Sequence, residues 1–174
     1  ADVCISFATP GPDLIQPEWI TKMQKAAVVF ACANPIPEIW PWDAKDAGAR
    51  IVATGRGDFP NQVNNSLGFP AIFRGCLDVR ARMISDEMAI ACATELAAYA
   101  EEQGLGEERI VPRMDEWDVF PRAAVRTAIE AQRQEIATLP RSPEELHRNA
   151  MAIISQAREA TDLLFREKVI PTPR

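Results

Sequence analysis

Three stretches of this 174-residue chain carry side chains whose type and spacing suit a small polar ligand. Residues 54–65 read T-G-R-G-D-F-P-N-Q-V-N-N, and Asn61, Gln62, Asn64 and Asn65 place four carboxamides within five positions. A carboxamide donates and accepts together and stays neutral at every pH, so such a cluster can fix a carboxylate without changing charge during turnover. A helix starting there adds backbone N–H donors aimed at the same anion. The plainer account is that Asn61 or Asn64 caps that helix and the others are solvated. Asn34 closes an apolar run just before Pro35. It suits a ligand bearing a hydroxyl and a carboxylate, and Pro35 biases it toward extended backbone, although Asn-Pro also simply starts turns. The third stretch is S-F-A-T-P-G at residues 6–11. Gly11 lets backbone approach a flat or anionic ligand, against the simpler account of a strand-ending turn.

The elements that must position these residues follow from the punctuation of the chain. Residues 2–8 form a short apolar run stopped by Thr9-Pro10-Gly11-Pro12, which neither a helix nor an inner strand could continue. Pro17-Glu18-Trp19 opens a helix predicted to reach Lys25. Residues 26–33, A-A-V-V-F-A-C-A, have no polar member, which predicts a strand buried on both faces of a parallel sheet. A short Pro-started helix closing on Gly48 and a third strand over residues 50–53 follow. Strands and helices alternating through short links predict right-handed crossovers onto a parallel sheet, α/β in class and half of a doubly wound one. Ligands of such sheets lie outside the carboxyl ends of the strands, where all three candidate stretches fall.

Beyond Asn61 the chain reads as helical. A helix over residues 64–82 is predicted to break near Gly68-Phe69-Pro70. Ser85 caps the next, with Met88, Cys92, Leu96 and Tyr99 on one stripe and Gly104 as its stop. Residues 120–138 form another. Ser142-Pro143-Glu144-Glu145 opens the last, running to about Lys168 with Leu146, Ala150, Ile153, Ile154, Ala157, Thr161 and Leu164 inward.

Composition narrows the function. With 19 Lys+Arg against 25 Asp+Glu the net charge is −6, which repels phosphate backbones and anionic lipid and argues against nucleic-acid and membrane-surface binding. The longest apolar stretch, residues 26–33, is too short to span a bilayer. Four cysteines without a C-x-x-C pair read as free thiols of a reducing compartment, hence a cytoplasmic protein, and a single histidine, His147, weakens any metal site. Tyr99 and His147 fall on helices remote from the strand ends and read as packed or solvated residues. Trp40 and Trp42 about Pro41 could form a cofactor lid, against the plainer account of surface packing or a subunit contact. The chain begins at Ala1, which leads to the expectation of processing or of a longer parent polypeptide.

F-A-C-A-N-P-I-P-E-I-W-P at residues 30–41, I-V-A-T-G-R-G-D-F-P-N-Q-V-N-N at 51–65 and G-F-P-A-I-F-R-G-C-L-D-V-R-A at 68–81 together resemble the carboxyl-terminal half of a bacterial or archaeal malic enzyme. The resemblance runs in order over residues 1–81 and more loosely through the terminal helices. It implies oxidative decarboxylation of L-malate to pyruvate and carbon dioxide, with NAD or NADP as oxidant and a Mg or Mn ion. It assigns substrate binding to Asn34, Asn64 and Asn65, and cofactor binding on the nicotinamide side to Thr9, Pro10 and Gly11 with Asn34. The family's catalytic tyrosine and lysine, its acidic metal ligands and its glycine-rich pyrophosphate loop lie upstream of the matched region, and their motifs have no counterpart here. The resemblance therefore implies a Rossmann-like half-domain over residues 1–82 and a helical extension over 83–174. It also implies an N-terminal part of the same enzyme as partner and metal holder, and a homodimer. The rival reading is a non-catalytic module for small-carboxylate binding or assembly.

Overall fold

The structure, a computed structural model, describes residues 1–171. Its elements run β1 (Val3–Ser6), α1 (Pro17–Ile20), β2 (Val28–Ala31), α2 (Pro41–Asp46), β3 (Ile51–Thr54), α3 (Asn65–Asp78), α4 (Asp86–Glu102), α5 (Val119–Arg133) and α6 (Pro143–Arg166). The chain divides into two compact units. One comprises Ala1–Phe69 with Ala93–Val119, the other Pro70–Cys92 with Phe120–Arg174. The sequence reading drew its division at residue 82 instead.

In the first unit the strands form a parallel sheet of order β1-β2-β3, as the alternating pattern predicts. The register aligns Val3 with Val28 and Ile51, and Cys4 with Val29 and Val52, so partners point to the same side. One side is packed: Val29, Ala31 and Val52 join Ile15, Ile20, Ile39, Ala44 and Ala49 in a core, with Cys4 against it. The other side is thinly covered. Val28 and Phe30 are half-buried, while Val3 and Ile5 are 48% and 61% exposed. The expectation of a β2 buried on both faces is thus met on one face only.

Local chemistry sets the element ends. Pro17 stands at the first turn of α1 with Glu18 beside it, but the helix closes at Ile20, short of the expected Lys25. Lys22 and Met23 donate three residues back, to the carbonyls of Trp19 and Ile20, and Thr21 Oγ1 bonds Glu18 O, which tightens the turn and ends it. Pro41 likewise starts α2, and Gly48 at φ +105° lets the chain leave it.

Pro70 does not break α3, contrary to the reading from sequence; the helix runs on to Asp78. A proline there removes one backbone bond, toward Ser66, while Leu67 before it and Ala71 and Ile72 after it are buried. Burial of that stripe outweighs the single lost bond.

The second unit packs around Val79, Met88, Ala128, Ala131 and Leu146. Gly75 permits the close crossing of α3 and α5, because a Cβ there would stand 2.5 Å from Ala124 O and 2.8 Å from Thr127 Cβ. Helix α5 stops at Arg133, before the expected Thr138, since Glu135 turns left-handed and the following segment pairs instead with residues 79–82. Ser142 and Glu145 form the reciprocal capping box of α6. Of the side chains expected inward along α6, Leu146 and Ala150 are buried, whereas Ile153 and Leu164 are 45% and 39% exposed. All four cysteines are free.

Candidate functional site

The third strand ends in a closed loop. Thr54 Oγ1 accepts from Arg56 N at 3.2 Å, and Val63 N returns to Thr54 O at 2.8 Å, so residues 55–62 project from the carboxyl end of β3 before α3 begins. The carboxamides of this loop divide sharply in role. Asn61 is buried and left-handed, a conformation asparagine tolerates. Its Nδ2 donates to Val52 O at 3.1 Å and Glu107 O at 2.8 Å, and its Oδ1 accepts from Ile110 N at 2.9 Å. Asn61 is a strap between β3 and the 107–110 segment.

Asn64 caps α3: its Oδ1 accepts from Ser66 N and Ser66 Oγ, both at 3.0 Å. Its Nδ2 donates to Gly55 O at 2.8 Å, leaving one N–H of that amide for a further acceptor. The capping account therefore holds for Asn64, and it leaves an amide N–H over for a ligand. Asn65, the first residue of α3, is exposed.

Asn34 meets the same glycine from the other side. It is exposed at the end of β2, and its carboxamide lies over Gly55, so that a Cβ at position 55 would stand 2.7 Å from Asn34 Nδ2. Asn34 and Asn64 thus converge on Gly55. The following peptide, Asn34-Pro35, is cis. Arg56 ties down the next peptide by donating from Nη1 to Pro35 O at 2.9 Å. The same guanidinium grips Asp58 with two bonds and lies over the rings of Trp40 and Phe59. The bond from Arg56 holds the Asp58 carboxyl below its ordinary range. Trp40 and Trp42 stack at 5.0 Å between centroids, with Trp42 half exposed.

The Thr9-Pro10-Gly11 loop leaves β1 with Thr9 and Pro10 exposed and Gly11 half-buried. It is tied to the Asn34 loop by Glu38, a fully buried residue that the sequence reading did not single out. Glu38 Oε1 accepts from Ala8 N at 2.8 Å and Oε2 from Ala33 N at 3.0 Å. Burial alone would raise this carboxyl, but the donors from Ala33, Ser6 and Ala8 more than offset it and hold it below the usual carboxylate value. Burial, with Glu38 nearby, pushes the Cys32 thiol up, so Cys32 is an inert packed thiol. Glu38, Gly55 and Arg56 are the residues that sequence reasoning missed. The only signal for Glu38 was an acid inside the apolar, proline-rich N-P-I-P-E-I-W run with no basic neighbour.

A cavity of about 570 Å³ lies elsewhere in this unit, lined by residues 57–62 and by Glu108, Arg109 and residues 111–115, but by none of Asn34, Asn64 or Asn65. Among the described residues no three His, Cys, Asp or Glu side chains gather in a way that could hold a metal ion. The donor set of the described residues does not fit a divalent cation. No helix among them is long and apolar enough to cross a membrane. Tyr99 is buried in α4 and His147 is exposed on α6.

A parallel sheet whose polar side chains gather outside its strand ends, followed by helices, defines a Rossmann-like domain of the dinucleotide-binding class. Comparison with known proteins gives the family. The profile described as malic enzyme, NAD binding domain, matches residues 14–133. A bifunctional malic/malolactic enzyme of Bacillus subtilis (strain 168) is 44% identical over 146 residues, covering 84% of this chain and 35% of the relative. An NAD-dependent malic enzyme of Geobacillus stearothermophilus is 46% identical over 129 residues, covering 74% of this chain and 26% of the relative. The crystal structure of Entamoeba histolytica malic enzyme superposes with a TM-score of 0.97 at 48% identity, over 99% of this chain and 36% of that one. The relatives include NAD-dependent and NADP-dependent enzymes. The chain belongs to the malic enzyme family, and it spans between about a quarter and a third of the length of these relatives.

Proposed function

We propose that this chain is the part of an NAD(P)-dependent malic enzyme that positions substrate and nicotinamide, in a longer enzyme converting L-malate to pyruvate and carbon dioxide. The observation that carries this reading is the convergence of Asn34 and Asn64 on Gly55 at the strand ends. Asn34, Asn65 and the remaining N–H of Asn64 hold the malate carboxylate and hydroxyl without adding charge to the site. Thr9, Pro10 and Gly11 form the wall beside the nicotinamide, with Asn34 at its edge. A bound nicotinamide would supply the hydride acceptor for the carbon bearing the hydroxyl. The proton-transfer groups and the Mg or Mn ion belong to the longer enzyme; the chain by itself is inactive.

The free edge of β1 and its exposed Val3, Ile5 and Phe7 offer the surface on which that additional polypeptide continues the sheet. We also assign the working enzyme to a cytoplasmic homodimer, in keeping with four free thiols and a net charge of −6. Sedimentation of the complete enzyme tests the dimer.

The test of function joins this chain to the upstream portion that the relatives carry and follows malate-dependent NAD(P)H formation. Asn34→Ala is expected to lower kcat/KM by about 10²-fold, equivalent to ~2–4 kcal/mol at the transition state. Parental turnover in Asn34→Ala would overturn the site. Absence of malate oxidation in the complete parent would favour the binding-module reading instead.

A further inference from the structure

We infer that Glu38 is a positioning residue that locks the nicotinamide-side loop to the substrate-side loop. The inference rests on the functional reading above. Glu38 reaches the first loop from both sides: its carboxylate accepts from Ala8 N, just before Thr9, and its carbonyl oxygen accepts from Ile15 N at 3.0 Å, just after the loop. The second carboxylate oxygen accepts from Ala33 N, the residue preceding Asn34. One buried group, fully enclosed, thus sets where Thr9-Pro10-Gly11 stands relative to Asn34.

Only a carboxylate suits this post. Two backbone N–H groups converge on it, one on each oxygen, and an ionised carboxylate offers acceptors alone, whereas an amide would set its own N–H against one of them. A strand-end loop without such a clip would leave donor and acceptor carbons free to drift, and displacement by about 1 Å in a near-attack geometry costs roughly 10²-fold in rate. Positioning of this kind falls on kcat, because neither loop is released from the fold and the rest of the dinucleotide is held elsewhere.

The test compares parent, Asn34→Ala, Glu38→Gln and the double variant in the complete enzyme. Glu38→Gln is expected to lower kcat by roughly 30-fold while the Kd for NAD(P)H, measured by fluorescence titration without malate, changes less than about threefold. The double variant is expected to lose less than the product of the two single losses, since part of the Glu38 effect passes through the Asn34 carboxamide. Parental kcat in Glu38→Gln, with Asn34→Ala impaired, overturns the inference and leaves the functional reading standing. A parent that does not oxidise malate overturns the functional reading and the inference together. Where Glu38→Gln does not fold, Glu38→Asp, which keeps the charge but cannot reach both loops, takes its place. Parental kcat in that variant overturns the inference; a kcat loss with unchanged NAD(P)H affinity supports it.

Discussion

The carboxamide of Asn34 fills the space where a side chain at position 55 would begin: a Cβ on Gly55 would stand 2.7 Å from Asn34 Nδ2 and 3.0 Å from Asn34 Oδ1. Gly55 is therefore the floor on which this amide rests, and its main chain is held in turn by Asn64. The loops that carry Asn34 and Asn64 share one residue without a side chain.

Gly55→Ala is accordingly expected to displace Asn34 and leave the fold intact. The atoms in the way belong to the end of an exposed side chain, so the thermal midpoint should move little, with a stability change within ~1 kcal/mol. Malate turnover in the complete enzyme should fall by at least about tenfold. Parental kinetics together with parental stability would show that the amide does not act from this position.

Asn64 has two jobs that substitution can separate. Asn64→Ala loses the α3 cap and the bond to Gly55 O, and should cost about 1 kcal/mol in denaturant unfolding together with most of the activity. Asn64→Ser keeps a capping oxygen for Ser66 N and loses the donor, so it should recover the stability and not the turnover. Recovery of both would remove Asn64 from the substrate site.

Asn61 should behave in the opposite way. Its three buried bonds join β3 to the 107–110 segment, so Asn61→Ala is expected to destabilise the first unit by about 2–3 kcal/mol. Hydrogen exchange at Ile110 N should quicken strongly. Once folded, the variant should bind and turn over malate as the parent does.

The low pKa of Glu38 makes a signed prediction about acid. Burial alone would raise the carboxyl; the N–H groups of Ala33 and Ala8 and the Ser6 hydroxyl lower it below its usual 4.5. A carboxyl depressed by folding contributes stability that is fully present above the unfolded value and is lost as pH falls through the folded one. The urea midpoint should therefore be flat from neutrality to about pH 5 and decline below it, and Glu38→Gln should flatten part of that decline.

Much of the fold was legible along the chain because its causes are local. The apolar runs at residues 3–6, 28–31 and 51–54, the prolines that open α1, α2 and α6, Gly48 and Gly104 at helix exits, and the Ser142–Glu145 box each act within a turn or two of themselves. The same reasoning failed at Pro70 and at the end of α5, where burial and pairing with residues 79–82 overrode local preference. The carboxamides were visible as a cluster, and the sequence alone placed Asn34, Asn64 and Asn65 at strand ends. Which amide would be spent on the fold and which would face outward was decided only by tertiary structure. Asn61 and Asn64 are chemically identical, and what separates them is a set of partners such as Val52, Glu107 and Ile110, nine to 49 positions away. Glu38 reaches Ala8 across 30 positions, and Arg56 reaches Pro35 across 21. Contacts over such separations leave no period or spacing behind, because they depend on where the sheet brings distant backbone together.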